Sequence, residues 1–278
     1  MIRALVLTVL AVLIAAPTAA RASNCYAFVE GVPGVRYAAL GDVAARAREV
    51  TITYVGHSTF RIETPGNIDG QGVVIATDYF GANGEGKLPD AVTMNKAHET
   101  HFTDTPDPAI PHVLRGWNPD GPADGSNPAR HLLTLGDVTI RNVTTDIRGW
   151  GTPEKDGNSI FVFEVADLCI GHLGHLHHTL SEAHYAMLGR LDIVMAPVDG
   201  SFTLEIGAMI EVLKTLKARL VLPMHAFGQY SLTKFLDGMK DAFEITVHDG
   251  RTITVSLDTL PSRPTVMVLP ARFPIDYE

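Results

Sequence analysis

The sequence has few cysteines, few basic side chains and, beyond its first residues, no long apolar run. Its 278 residues include 2 cysteines, too few for a disulfide-stapled mini-protein, and a chain of this length does not need such staples. Lysine and arginine total 22 against 31 acidic residues, a formal charge of −9, which argues against binding nucleic acid or anionic membrane by bulk electrostatics. With 46% hydrophobic and 19% charged residues, the composition is globular, not disordered.

Two common catalytic motifs are also missing. The sequence has no Gly-x-Ser-x-Gly segment, so a serine hydrolase with a nucleophile elbow is not predicted. The glycine-rich stretch at 81–86 is not followed by Lys-Ser or Lys-Thr in phosphate-loop spacing, so we expect a turn-rich loop there and no nucleotide site.

The first 22 residues have the pattern of a secretory signal peptide. A short basic start is followed by an uncharged apolar run at 4–16 and by Ala20-Arg21-Ala22, a small-x-small cleavage pattern. The run is shorter than the ~20 residues that span a bilayer, which disfavours the alternative of a membrane anchor. We predict a single domain at 23–278 that is periplasmic or secreted and has no membrane contact after cleavage. In that compartment Cys25 and Cys169 could pair or stay free, and the sequence does not decide between these.

Periodicity along the rest of the chain predicts a layered α/β domain. Strands are predicted first, at 49–55, 60–63, 73–77, 91–94, 138–143, 160–165 and 168–170. Helices and strands then mix, with helices at 181–189, 203–216 and 232–240 and strands at 191–196, 220–222, 245–247, 252–255 and 265–268. Ser181 is the expected N-cap of the first helix.

One proline-rich segment interrupts this pattern. Residues 105–130 hold six of the 17 prolines, and a loop of this length in a compact domain is commonly functional. We interpret it as a flap beside a site, with a surface excursion as the alternative.

Histidines follow three of the predicted strands. They are His98 and His101, then His172, His175, His177 and His178, and finally His225. The carboxyl ends of strands in α/β sheets converge on the ligand crevice, and imidazole binds zinc, iron and manganese. The three clusters therefore predict a metal site, with His177 and His178 as weaker candidates of which one faces the site.

Short sequence blocks in a characteristic order add a family resemblance. They are Gly56-His57-Ser58-Thr59-Phe60, Ile75-Ala76-Thr77-Asp78, Pro89-Asp90-Ala91-Val92-Thr93, His172-Leu173-Gly174, the segment 191–198, and Pro223-Met224-His225. Over about residues 49–228 the sequence resembles the metallo-β-lactamase superfamily, in the branch similar to L-ascorbate-6-phosphate lactonase. The resemblance implies an αββα sandwich, with two mixed sheets flanked by helices and the metal site at one edge of the sheets.

The sequence departs from this family at its metal-binding loop. The family pattern His-x-His-x-Asp-His is replaced here by Lys96, His98, Thr100 and His101. The resemblance further places His175 where the family has a bridging Asp and His225 at the family's final His. Another family His has Asp146 as its nearest candidate here.

These replacements change the expected charge of the site. With both Asp ligands lost and Lys96 added, two divalent ions would be poorly compensated, so we expect one metal ion. The expected metal is zinc, with iron or manganese as alternatives. The predicted ligands are His98, His101, His175 and His225, together with His172, which either binds the metal or orients a ligand.

The implied function is that of an exported metal-dependent hydrolase. A metal-activated water would attack a small ester, lactone or phosphoester, with Lys96 as a fixed cation on the substrate and Asp146 moving protons. Arg115 and Arg148 could join Lys96 in holding a small anion. The alternatives are a catalytically weak or inactive metal- or small-molecule-binding protein on the same fold, and an iron-dependent redox protein.

Three residues near these clusters have open roles. His57 has either a structural role, with its ring hydrogen-bonded to backbone, or a catalytic one. Asp78 and Asp104 could orient ligand imidazoles as carboxylate partners, or they are exposed loop acids.

Overall fold

The computed structural model describes residues 25–26, 48–66, 72–122, 124–149 and 153–270. The predicted signal peptide lies outside these residues. The described chain forms two mixed sheets. The first contains β1 (Val50–Gly56), β2 (Thr59–Glu63), β3 (Val74–Ala76), β4 (Ala91–Met94), β5 (His112–Arg115) and β13 (Thr252–Val255). The second contains β6 (Leu132–Leu135), β7 (Val138–Ile147), β8 (Glu154–Val165), β9 (Leu168–His172), β10 (Ile193–Pro197), β11 (Leu220–Met224), β12 (Glu244–Val247) and β14 (Thr265–Val268).

The strand order places the histidine-bearing strand ends together. The six-stranded sheet runs β13-β1-β2-β3-β4-β5, and the eight-stranded sheet runs β12-β14-β11-β10-β9-β8-β7-β6. Strands β9, β10 and β11 are parallel neighbours, as are β3, β4 and β5. Because parallel strands end at the same edge, the loops that follow β4, β9 and β11 can share one edge of the sandwich. The predicted α/β fold with two mixed sheets is confirmed.

Alternating side chains build two hydrophobic layers around the eight-stranded sheet. Successive residues of a strand point to opposite faces. Phe161 therefore packs between the sheets with Ile52 and Phe60, while Ile160 and Val162 face the opposite way. Both layers are fully buried, which fixes the register of the central strands.

Three helices cover the outer face of the eight-stranded sheet in the described part of the chain. They are α1 (Glu182–Leu188), α2 (Ile206–Leu216) and α3 (Gly228–Met239), and they contribute Leu188, Leu213 and Phe235 to the outer core layer. The predicted cap is present, since the Ser181 side chain accepts a hydrogen bond from the His184 backbone N–H. None of these helices has the length and apolarity needed to cross a membrane.

The largest differences from the sequence prediction lie around the proline-rich segment. Strands β5 and β6, which were not predicted, are four-residue strands in which Leu114 alone is buried, so they carry too little hydrophobic alternation to be recognised. Strand β8 begins six residues before its predicted start because the polar residues before Ile160 extend the antiparallel pairing with β7. Helix α3 begins at Gly228, four residues before its predicted start.

Cys25 and Cys169 form a disulfide bond across 144 residues of sequence. Both side chains are buried, and the Arg190 backbone N–H also donates to the Cys25 carbonyl oxygen at 2.7 Å. The bond fixes the chain near residue 25 to strand β9, which carries His172. The sequence left open whether these cysteines pair, and the structure pairs them.

We predict that removing this cross-link destabilises the protein without moving the site. The double substitution Cys25→Ser and Cys169→Ser should lower the free energy of unfolding by about 2–4 kcal/mol, because a long loop in the unfolded chain loses its constraint. Urea denaturation monitored by circular dichroism measures this change. Wild-type protein in reducing buffer is the matched control and should show a similar loss. Equal stability of the bridged and unbridged forms would contradict the prediction.

Candidate metal centre

Four loops bring histidines to one edge of the sandwich. The β1–β2 turn carries His57, the loop after β4 carries His98 and His101, the loop after β9 carries His175, and β11 is followed by His225. The backbone N–H of His225 donates to the carbonyl oxygen of His57 at 2.8 Å, which joins two of these loops. Both residues adopt a left-handed backbone, each with φ 53°. Such conformations are uncommon outside glycine and cluster at functional sites.

The imidazoles of this edge form a compact cluster. His57, His98, His101 and His225 each offer one ligand atom, and these four atoms lie within 4.8 Å of one another. The ring of His175 borders the group, with its centroid 4.6 Å from that of His101 and 4.9 Å from that of His225. We refer to these five residues as the histidine cluster.

Two buried carboxylates fix the orientation of two of these rings. His101 Nδ1 lies 2.6 Å from Asp78 Oδ2, and His225 Nδ1 lies 3.1 Å from Asp199 Oδ1. A carboxylate accepts, so each ring carries its proton at Nδ1 and turns an Nε2 lone pair inward. Both Nε2 atoms are buried and have no hydrogen-bond partner among the residues described. A carboxylate behind a ring, with a free nitrogen in front, is the usual arrangement of a metal-binding histidine.

Asp199 is itself held by the loop that follows β10. It accepts hydrogen bonds from the backbone N–H groups of Ser201, Phe202 and Thr203 and from the hydroxyls of Ser201 and Thr203. Burial raises the pKa of Asp199, but the hydrogen bonds from His225 and from this loop outweigh it and hold the pKa well below its usual range. Asp199 is therefore a fixed negative charge behind His225.

Thr100 connects the rings of His57 and His98, the other two of the four histidines whose ligand atoms lie together (the group of four). Its Oγ1 lies 2.8 Å from His57 Nε2 and 2.8 Å from His98 Nδ1. A hydroxyl oxygen has two lone pairs and can accept from both rings. His57 Nδ1 is then left unprotonated, buried and without a partner in the described structure. Thr100, at the position of a family Asp, thus orients two imidazoles.

His172 has both ring nitrogens occupied. Its Nε2 lies 2.8 Å from the Ser58 carbonyl oxygen, and its Nδ1 accepts from the Gly174 N–H at 3.1 Å. The Ser58 hydroxyl in turn lies 3.1 Å from His101 Nδ1. Of the two roles that the sequence left open for His172, this geometry fits a residue that orients the site, since no ring nitrogen is free for a metal.

The two predicted catalytic residues lie in ion pairs. The Lys96 ammonium group pairs with Glu154, and Asp146 accepts from Lys155 Nζ at 2.7 Å and from the Asp156 N–H at 3.1 Å. Neither belongs to the group of four. The positive charge of Lys96 is compensated by Glu154, so it does not add to the charge of a bound metal as we expected from the sequence.

Arg148, one of the basic residues expected to hold an anion, is bound to backbone carbonyl groups. The Arg148 guanidinium donates to the carbonyl oxygens of Ser201, Phe202 and Thr203, so it is already satisfied by the backbone. Asp104, one of the two carboxylates considered as a ring partner, is exposed, while Asp78 holds His101.

A cavity of about 520 Å³ adjoins the loop that carries His98. The Lys96–Glu154 pair lines it, together with Trp117 and several prolines of the proline-rich segment, namely Pro119, Pro122 and Pro128. Trp117 is held in place by Phe102, with ring centroids 5.4 Å apart. The proline-rich segment therefore contributes to the wall of a cavity. Lys96, which also lines this cavity, precedes His98 of the histidine cluster by two positions in the sequence.

The group of four fits a single divalent metal ion. Zinc binds imidazole nitrogen at about 2.0–2.1 Å in tetrahedral geometry, so two ligand atoms around one ion lie roughly 3.3–3.4 Å apart. The four atoms lie within 4.8 Å of one another without a metal, so the more distant pairs must close by up to about 1.5 Å to share one ion. All four donors are neutral nitrogens, and the charges of Asp78 and Asp199 stand directly behind two of them.

Sequence reasoning missed two contributors. Asp199 was not considered, and His57 was treated apart from the ligands. The signal for Asp199 is its position directly after strand β10, at the same edge as the residues after β9 and β11. For His57 the signal is the Gly56-His57-Ser58-Thr59-Phe60 block, because the family resemblance places this loop near the site, but its role there was left open between structure and catalysis.

Comparisons with known proteins agree with the fold. The family model "Beta-lactamase superfamily domain" matches residues 51–225. A UPF0173 metal-dependent hydrolase from Methanosphaerula palustris is 26% identical over 225 residues, covering 76% of this chain and 96% of that protein. A second one, from Salinibacter ruber, is 25% identical over 234 residues, covering 72% and 95%.

Solved structures give the same result. A Thermotoga maritima protein assigned to the zinc-dependent hydrolases of the metallo-β-lactamase superfamily superposes with a TM-score of 0.56 at 25% identity, covering 80% of this chain and 100% of that one. Igni18, a metallo hydrolase from Ignicoccus hospitalis, superposes with a TM-score of 0.50 at 18% identity, covering 75% and 99%. At that identity it shows the fold alone.

We predict that the metal-free protein loses stability as pH falls below about 6.5. Burial, and then the neighbouring His225 and His98, lower the pKa of His57 to about 3. Between these two values the unfolded chain binds a proton that the folded chain does not. Stability should therefore decrease with decreasing pH by about 1.4 kcal/mol per pH unit for this one histidine.

Urea denaturation of chelator-treated protein from pH 7 to pH 4 measures this slope. His57→Gln should reduce it, whereas His112→Gln, on strand β5 and outside the cluster, should leave it unchanged. An unchanged slope in the His57 variant would contradict the assignment.

Proposed function

Because the chain belongs to the metallo-β-lactamase superfamily, we propose that it is an exported metal-dependent hydrolase of a small ester, lactone or phosphoester. One observation carries the proposal: buried imidazole nitrogens without partners, such as His101 Nε2 and His225 Nε2, converge at one edge of the sheets. A buried polar atom left without a partner is costly. A bound metal ion removes that cost.

The proposed ligands are His57, His98, His101 and His225. This set retains three residues that the sequence predicted and adds His57. An all-imidazole site favours zinc and also accepts iron, with manganese as a weaker alternative. A divalent ion bound here would supply a water of lowered pKa and would polarise an oxygen of the scissile bond.

The chain's own residues keep the rings ready for this chemistry. Asp78 and Asp199 hold the inward nitrogens of His101 and His225 unprotonated. The Thr100 hydroxyl can accept from both His57 Nε2 and His98 Nδ1, which leaves the other nitrogen of each ring unprotonated. The rings would then close on a metal ion with their tautomers already set, and outer hydrogen bonds serve this role in metal sites.

The cavity beside Lys96 is the proposed substrate site. Its volume of about 520 Å³ lies within the range of small-molecule pockets. Among the residues that line it, Trp117 offers an apolar face, and Lys96 and Glu154 offer a donor and an acceptor. These groups suit a small, polar, uncharged or weakly charged substrate such as a lactone or ester. Asp146 does not line this cavity, although its partner Lys155 does.

Export is proposed on two grounds. The first is the basic, apolar and small-residue pattern of residues 1–22. The second is the disulfide between Cys25 and Cys169, because disulfides persist in oxidising compartments and are rare in the cytosol. Cell fractionation followed by mass determination of the mature N-terminus tests this, and an N-terminus at Met1 in the cytosolic fraction would refute it.

We predict one bound metal ion per chain and hydrolysis that depends on it. Elemental analysis of the purified mature protein measures the metal, and a panel of esters, lactones and phosphodiesters measures turnover. His101→Ala and His225→Ala should lose the metal and at least about 100-fold of the rate, because each removes a ligand.

Lys87→Ala is the matched control, since Lys87 pairs with Asp90 on the surface and should have no effect. If no reconstituted form binds metal or turns over any substrate, the hydrolase proposal fails. The chain is then a binding protein on this fold, as the replacement of family Asp residues by Thr100 and His175 would also allow.

A further inference from the structure

A chain of hydrogen bonds fixes the proton on His175. The backbone N–H of Arg148 donates to His177 Nδ1 at 2.7 Å. A backbone N–H can only donate, so His177 Nδ1 is unprotonated and His177 carries its proton at Nε2. That Nε2 is hydrogen-bonded to His175 Nδ1. His175 Nδ1 is therefore the acceptor of this bond, and the proton of His175 lies at Nε2.

The protonated nitrogen of His175 faces the other rings of the histidine cluster. The ring of His175 lies edge-on to those of His98, His101 and His225, with centroids 5.0, 4.6 and 4.9 Å away. Its Nε2 is buried and has no acceptor within the part of the chain that the structure describes. An N–H group cannot bind a metal ion, but a buried N–H requires an acceptor.

The outer partners divide the cluster into two kinds of ring. Behind His101 and His225 stand carboxylates, which accept and leave a lone pair inside. Behind His175 stands His177, whose Nε2–H donates to His175 Nδ1 and leaves the Nε2–H of His175 on the side of the other rings. The outer partner of each ring thus decides whether the ring can bind a metal or donate a hydrogen bond. Of His101, His225 and His175, only His175 has an outer partner that donates.

We infer that His175 is a hydrogen-bond donor to an oxygen atom of the substrate and not a metal ligand, with His177 as the residue that positions its proton. The inference rests on the proposed hydrolase function and changes the role that the sequence predicted for His175. A donor aimed at the carbonyl or phosphoryl oxygen stabilises the negative charge that develops there as the bond is attacked. The group of four histidines supplies the metal ligands without it.

The proton position can be measured without metal or substrate. Long-range ¹H–¹⁵N correlation spectra of the metal-free wild-type protein report the tautomer of each ring. We expect His175 and His177 as Nε2–H tautomers and His101 and His225 as Nδ1–H tautomers. Addition of Zn²⁺ alone should shift the Nε2 resonances of His101 and His225 and leave His175 protonated at Nε2. A Zn²⁺-shifted, unprotonated Nε2 of His175 would overturn the inference.

Variants separate donor from ligand by metal content. His175→Ala should retain one zinc ion with an affinity within about threefold of wild type, whereas His101→Ala should lose it. Turnover by His175→Ala should fall about 100-fold or more, with recovery of part of the rate in His175→Gln, whose amide can donate. Loss of zinc from His175→Ala to the extent seen in His101→Ala would show that His175 is a ligand.

His177→Phe tests the positioning role. Without the ring that donates to its Nδ1, His175 should populate the Nδ1–H tautomer in the same spectra, and retention of a pure Nε2–H tautomer would refute the role of His177. If the wild type hydrolyses none of the substrates, the proposed function fails, but the tautomers and the zinc contents still decide whether His175 is a donor.

Discussion

The hydrogen bond between His101 Nδ1 and Asp78 Oδ2 is the contact on which the histidine centre depends. Both side chains are fully buried, and the 2.6 Å bond sets the ring so that its Nε2 faces inward. Asp78 is held on its other side by Asn95 Nδ2, and Asn95 Oδ1 accepts from the Ser159 N–H of the second sheet. This chain of polar contacts runs from a metal-facing imidazole through a carboxylate to the opposite sheet. The sandwich must therefore be closed before the centre can form.

The position of negative charge distinguishes this centre from the pattern of the family it resembles. Two positions at which the resemblance expects Asp hold Thr100 and His175. The carboxylates that remain beside the cluster stand behind the rings: Asp78, which is part of the family resemblance, and Asp199. A carboxylate one imidazole away still offsets a cation and also fixes the ring's tautomer. Such a centre suits one divalent ion, because the two negative charges of Asp78 and Asp199 offset the charge of one such ion but not that of two.

The regular elements were largely predictable from the sequence, and the polar contacts between them were not. Strand β4 and strands β13 and β14 were predicted residue for residue, because alternation is a local signal. The convergence of His98, His101 and His225 followed from their places after strands. The contact between His57 and Thr100 and the Lys96–Glu154 pair each join residues at least 43 positions apart. The contact between Asp199 and His225 depends on the geometry of two loops. Such pairings leave no periodic trace in a single sequence.

X-ray absorption spectroscopy of the zinc-loaded protein reports the donors around the metal itself. We expect nitrogen donors at about 2.0–2.1 Å, with the outer-shell scattering of imidazole rings from at most four histidines. We expect no carboxylate bound to the ion, because Asp78 and Asp199 lie behind the rings. A spectrum that requires carboxylate oxygen ligands from the protein, or a fifth imidazole, would contradict the four-histidine centre.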